Sequence, residues 1–275
     1  MGDVTVLAVS ACDVEGEVIC APTDINELFE FTTPLFSIGG FNFTRTVFLI
    51  FAAMAIVLGA LFVGLRRQQL VPSRFEIAIE SLVGFVRDDI AKGVIGTAHG
   101  MRYLPYLLSL FFFLLVGNVF KVTPLINFPI SSRMAIPAFL AMVTWVIFVF
   151  VGFAKNGFKH YFIDTIWPKS VPLALRWLVG LIELVSIFVL RPITLAVRLF
   201  ANMVAGHLML TLLLVSGVLF LGGVGDIGIK AGIGIVWFVF GLAIWVFELV
   251  VAILQAYIFT LLSAVYIQTS LEPAH

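Results

Sequence analysis

The chain has 275 residues, 61% of them hydrophobic and only 12% charged, with sixteen bases balancing sixteen acids. Apolar runs of 18 residues or more recur along most of it. That is more apolar surface than a soluble core can hide, so the composition excludes a water-soluble enzyme and points to an all-α polytopic membrane protein without a basic footprint for nucleic acid. A closed β-barrel would need strands of about ten residues that alternate apolar with polar, and these runs are continuous.

Residues 1–45 form an acidic N-terminal tail: Asp3, Asp13, Glu15, Glu17, Asp24, Glu27 and Glu30 stand there against the single base Arg45. No basic stretch followed by an apolar core opens the chain, so the tail is expected to be retained rather than cleaved as a signal peptide. Cys12 and Cys20 both lie in it. Free thiols are the expectation, with a disulfide the alternative if the tail meets an oxidising compartment.

The membrane domain, 46–268, reads as five embedded segments: Thr46 to Leu65, Leu104 to Phe120, Ala135 to Phe153, Leu173 to Leu221 and Ala231 to Ile267. Between the first two, "SRFEIAIESLVGFVRDDIAKG" sets Phe75, Ile79, Leu82, Val83 and Val86 at helical spacing, mostly opposite Glu76, Glu80, Arg87 and Asp88. This predicts an amphipathic helix over about 74–95 lying at the membrane interface. The last two segments are too long for one perpendicular crossing. Pro192 to Phe220 alone would span roughly 43 Å as a helix against a hydrocarbon core of about 30 Å, so steep tilt, a break or interfacial packing is required. The glycine-rich "GGVGDIGIK" between them predicts a long tilted antiparallel hairpin over about 173–267, turning near Asp226. Residues 269–275 form a short C-terminal tail.

Arg66, Arg67, Arg74, Arg87, Lys92 and Arg102 fill one connection, and Lys155, Lys159, Lys169 and Arg176 another, against Arg45, Lys121, Arg133 and Lys230 on the opposite side. Ten bases against four put the N-terminus outside, the C-terminus in the cytoplasm and the chain in a multi-pass arrangement.

Two bases remain within the fourth segment, Arg191 and Arg198, and Glu183 and Glu248 are embedded likewise. A charge at mid-bilayer costs about 2.5–3.5 kcal/mol on insertion scales and is rarely kept without a role. Thr194, Arg198 and Asn202 follow at i, i+4, i+8 and so share a helix face, while Arg191 either joins that face or snorkels to the interface. Glu248 and Gln255 share a face on the last segment. Folded about the glycine turn, the hairpin sets Arg198 level with Gln255 and His207 level with Glu248. An arginine cannot give up its proton in a protein, so Arg198 reads as a fixed positive field, whereas His207 and Glu248 can exchange protons. Embedded acids, a histidine and an arginine stripe are together what an ion pathway needs. Any one of these residues, taken alone, also fits a structural hydrogen bond between helices. No paired metal-ligand spacing, phosphate-cradling loop or nucleophile constellation is present. The chain is thus expected to bind no cofactor or metal and to hold no nucleotide site.

The stretches "RPITLAVRLFANMVAGHL" and "FELVVAILQAYIFTLLSAVY" resemble the a subunit of F-type ATP synthase, and "FEIAIESLVGFVRDDI" is similar to that family's interfacial helix. The resemblance covers roughly Arg74 to Gln268. It implies a stator subunit of the bacterial plasma membrane that works beside a rotating c-ring, with subunit b of the peripheral stalk and the rest of the F1Fo complex as further partners and protons as the transported ion. It implies that Arg198 matches the essential arginine facing the c-ring carboxylate, that Asn202, Gly206 and Gln255 match positions flanking it, that His207 and Glu248 serve the outer half-channel, and that Glu183 serves the cytoplasmic one. One departure stands out: many members carry an acid around the third and fourth segments, and here none occurs between Asp89 and Asp164. Asn118, Asn127, Ser131 and Ser132 are the candidate linings in its place.

Overall fold

A computed structural model describes residues 36–38, 41–66, 73–123, 134–157, 172–222 and 229–271. The acidic residues of the tail, Cys12 and Cys20, Asn127, Ser131, Ser132 and the turn at Asp226 lie outside the described residues.

The chain enters with two short strands, β1 (Phe36–Ile38) and β2 (Phe41–Phe43), paired antiparallel with Phe36 opposite Phe43. The other described elements are helices. In order come α1 (Arg45–Arg66), α2 (Arg74–Phe85, running on as a wider π-helical stretch, Val86–Ile95), α3 (Gly100–Val122) and α4 (Ala135–Asn156). Then α5 (Leu173–Val185) passes through a π-helical turn, Ser186–Leu190, into α6 (Arg191–Gly222), and α7 (Ile229–Leu271) closes the chain. Among the described residues, five helical runs are long and apolar enough to cross a membrane: Val47–Gly64, Gly100–Val122, Ala135–Lys155, Leu175–Leu221 and Gly232–Leu271. They match the five expected segments, and the last two run 47 and 40 residues.

Large apolar side chains such as Phe48, Leu58, Phe139, Phe150, Val236 and Phe247 are exposed on the outside of the bundle. A soluble protein rarely shows so wide an apolar surface, whereas lipid accepts it. The interior is built from Val86 and Ile90 of the π stretch, Leu107 and Phe111 of α3, Phe148 of α4, Leu195 and Leu199 of α6, and Phe259 and Ile267 of α7. A second cluster, Leu49, Ala53 and Phe120, seats α1 on α3.

Helix α2 starts with a reciprocal cap. The Glu76 amide donates to Ser73 Oγ at 3.3 Å, and the Ser73 amide donates to Glu76 Oε2 at 2.7 Å. Its apolar face differs in part from the expected one: Ile79 and Val86 are buried, Leu82 and Val83 half-buried, and Phe75 exposed. Ile79 packs on Gly64 of α1, while Phe75, one turn earlier, is left exposed. The π stretch ends at Gly96, whose φ of +94° is a conformation that side-chain-bearing residues seldom adopt.

The junction of α5 and α6 follows from Pro192. Proline offers no N–H, and its ring collides with the carbonyl four residues back. The preceding turn widens to π geometry, with the Arg191 amide reaching Ser186 O. The π partner of the Ile187 carbonyl would be Pro192, which has no hydrogen to give. That carbonyl accepts instead from the Trp145 indole of α4 at 3.2 Å.

Helices α6 and α7 form the expected antiparallel hairpin. Gly206 lies against Glu248, Gly217 against Phe238 and Gly234 against Phe220. The two members of each pair stand about equally far in sequence from the connection, so one register holds over 206–220 and 234–248.

Candidate functional site

Three residues of the last turns of α3 meet α7 in antiparallel order. Asn118 Nδ2 donates to Ala252 O at 3.4 Å, Lys121 Nζ pairs with Glu248 Oε2, and Trp245 Nε1 donates to Val122 O at 2.8 Å. The ion pair at the centre is buried, with Lys121 only 4% and Glu248 only 6% exposed. Lys121 Nζ also donates to the backbone carbonyl of Asn202 on α6 at 3.3 Å, so one ammonium ties three helices together. A buried charge needs such pairing, because leaving water costs several kcal/mol per ion unless a partner and hydrogen bonds offset it.

Gly206 completes the nest. Its bare Cα lies so close to the Glu248 carboxylate that any side chain would overlap the oxygens. The next residue, His207, is also buried, and Lys121 is within electrostatic reach of it. Glu248, Lys121, Gly206, His207 and the Asn202 carbonyl therefore gather in one buried polar region. It lies in the half of the hairpin nearer its turn.

Lys121 is the residue that sequence reasoning missed. Charge counting assigned it to an outer connection because the apolar run was ended at Phe120. The signal was present in "VGNVFKVTP": nothing breaks a helix before Pro124, and Lys121 lies one turn from Asn118 on the same face. A helix continuing to Val122 buries the lysine.

Arg198 sits elsewhere. It is on the exposed face of α6 beside Ile193, Thr194 and Val197, and among the described residues no acid pairs with it. The Thr194 hydroxyl donates back to Leu190 O at 2.7 Å, within its own helix. Asn202 is half-buried, on the side of α6 turned toward Lys121. Gln255 is 5% exposed, and among the described residues its Nε2 has no hydrogen-bond partner. Glu183 lies apart on α5, half-buried, on the order of 20 Å along the helical run from Arg198 at 1.5 Å per residue. It does not join the region around Glu248.

Arg191 neither shares the face of Arg198 nor points away from the bundle. Its guanidinium lies 5.1 Å from the Tyr266 ring centre and 6.0 Å from that of Phe148, and it donates to Thr269 Oγ1 at 3.3 Å. It acts as a clamp between α4, α6 and α7 at the end where α7 finishes.

A family model described as ATP synthase A chain matches residues 47–268. Among similar curated proteins, the ATP synthase subunit a of Frankia alni is 42% identical over 272 residues, covering 91% of this chain and 89% of that one. The protein of the same name from Rhodococcus erythropolis is 38% identical, covering 85% of this chain and 84% of its own. A third, from an Arthrobacter species, is 40% identical across 75% and 77%.

Proposed function

The chain belongs to the ATP synthase A chain family and is a multi-pass membrane subunit of the proton-translocating ATP synthase, and from that premise we propose that it is the stator surface along which a c-ring turns, reached by two offset half-channels. The observation that carries this reading is Arg198, a permanent charge on the exposed face of a membrane-spanning helix that no acid among the described residues meets. Facing lipid, that charge would cost about 2.5–3.5 kcal/mol or more. Its complement therefore belongs to a partner, and the group that suits a guanidinium is a carboxylate.

A carboxylate carried through lipid on a rotating ring travels protonated and neutral. On coming within 4 Å of Arg198 the ionised form gains about 4 kcal/mol at an effective dielectric of 20. By the conversion of about 1.4 kcal/mol per decade that is roughly a thousandfold shift toward release. The proton leaves by one half-channel while the next site loads from the other. A guanidinium keeps its charge in a protein and relays no proton, so Arg198 also blocks a direct leak between the two. Each charge crossing supplies about 2.3 kcal/mol per 100 mV.

In this reading His207 and Glu248 line the outer route and Glu183 the cytoplasmic one, with Thr194, Asn202 and Gln255 beside Arg198. Lys121 adds a gate: Glu248 must leave its ammonium before it can accept a proton. The N-terminus lies outside, the C-terminus in the cytoplasm, and subunit b of the peripheral stalk holds the chain against the turning ring. The test is the assembled complex carrying Arg198→Ala, followed for ATP-driven acidification and for passive proton leak. Loss of pumping with increased leak is expected. Pumping at the unmodified level would reduce the chain to a scaffold.

A further inference from the structure

At the end of the bundle where α7 finishes, a cleft of about 490 Å³ opens between the start of α3, the last turns of α4 and Leu271 of α7. It is far from Glu248 and Arg198, and nothing in the coupling scheme uses it. Its walls are graded. Val146 and Phe150, one turn apart on α4, line it toward the middle of the span and are 51% and 69% exposed. His99, Arg102 and Lys155 line it toward the helix ends, with Tyr103 beside them. Among the described residues, none of these three bases forms a salt bridge, and no acid lines the cleft.

We propose that this cleft is a binding site for one anionic phospholipid, its phosphate held by Arg102 and Lys155 and an acyl chain laid along Val146 and Phe150. The argument is one of matched gradients. An exposed Phe150 within a helix that crosses the membrane faces hydrocarbon, while Arg102 and Lys155 sit where that helix and its neighbour reach the surface. A soluble anion would use the cations and leave the apolar wall idle. A neutral lipid would use the wall and leave the cations without a counter-charge. Only a molecule with both parts satisfies both ends, and a basic pocket between membrane helices is a known form of headgroup recognition. Arginine presents a planar fork that suits phosphate oxygens, and lysine adds a point charge. Each cation near the surface contributes about a fivefold gain in affinity for anionic lipid.

The intact ATP synthase is placed in phosphatidylcholine nanodiscs containing a small fraction of a photoactivatable phosphatidylglycerol, irradiated, and its peptides mapped. Adducts are expected on segments 99–103 and 146–155, and a photoactivatable phosphatidylcholine of the same chain length should label them several-fold less. Arg102→Gln with Lys155→Gln should lower anionic labelling by roughly twentyfold, while Arg102→Lys with Lys155→Arg retains most of it. Equal labelling by the two lipids would overturn the proposal in favour of ordinary boundary lipid. Absence of adducts on both segments would overturn it in favour of a protein covering the cleft. Displacement of the probe by millimolar inorganic phosphate would overturn it in favour of a free-anion site. Should the glutamine variants fail to assemble, the comparison of the two lipids on the unmodified complex decides.

Discussion

The Glu248 carboxylate of α7 rests on the bare Cα of Gly206 in α6, and from that position it meets the ammonium of Lys121. A methyl group at 206 therefore pushes on an ion pair rather than on adaptable hydrocarbon. Gly206→Ala is expected to displace the carboxylate, at an overpacking cost of about 1–3 kcal/mol, and to cut ATP-driven acidification sharply in complexes that still assemble. Acidification at the unmodified rate would mean that the position of Glu248 is not critical for transport.

Lys121 and Glu248 depend on each other. Lys121→Met strands a buried carboxylate, and loss of one partner of such a pair costs about 3–5 kcal/mol. The double change Lys121→Met with Glu248→Gln removes both charges and should recover much of the thermal stability without recovering proton flux. The melting temperature of the detergent-solubilised complex reads the first quantity and vesicle acidification the second. Stability losses that simply add would show that the two side chains do not act as a pair.

Trp145 and Pro192 are expected to be coupled although they do not bond to each other. Trp145→Phe removes the donor from the Ile187 carbonyl, and an unsatisfied buried group costs about 1–3 kcal/mol. Pro192→Ala returns an N–H to the helix and lets the π turn relax. In that background the tryptophan change should be close to silent. A thermal-stability cycle over the four proteins checks this, and an unchanged effect of Trp145→Phe would count against it.

Arg191 stacks on Tyr266 and Phe148, so its planar fork contributes as well as its charge. Arg191→Lys should lose part of a cation–π term of about 0.5–2 kcal/mol, seen as a lower melting temperature with pumping retained. Abolished pumping in a fully assembled Arg191→Lys complex would assign Arg191 to the transport path.

On α2, outside the membrane spans, hydrogen bonds from Arg87 and then Lys92 hold the Asp88 carboxyl below the usual carboxylate range. A carboxyl depressed on folding stabilises fully above its unfolded value of about 4 and loses that contribution as pH falls from there through the lower folded value. Asp88 is exposed, so water and salt screen the effect. Hydrogen-exchange protection factors across 74–95, referred to the intrinsic rate at each pH, should be flat from pH 8 to 5 and fall at lower pH, with Asp88→Asn removing the acid-side change. An identical profile in the variant would exclude Asp88 as the cause.

Hydrophobic run length made the five crossings legible, and the glycine turn gave the register of α6 on α7, because a membrane leaves helices as the only open-ended way to satisfy backbone groups. Local geometry was harder to read. Nothing in periodicity announced a π turn before Pro192 or a π stretch after Phe85, since a widened turn shifts each following face by an amount that a strict 3.6-residue repeat does not carry. Lys121 was misplaced because counting charges treats a lysine as solvated, and only the tertiary meeting of α3 with α7 supplies the acid that makes burial tolerable. Arg191 took neither place that its spacing offered, because its partners Phe148 and Tyr266 stand on other helices, far along the chain.

The bare charge of Arg198 also bears on biogenesis. A copy inserted into the bilayer before its partner arrives must hold that guanidinium against lipid, tilting or drawing water in to do so. On the proposal that a ring carboxylate meets Arg198, folding of this chain is complete only at the moment of assembly, and surplus copies are expected to be recognised as unfinished and degraded. Pulse-chase in cells lacking the ring subunit should show rapid turnover of the chain, slowed by Arg198→Leu.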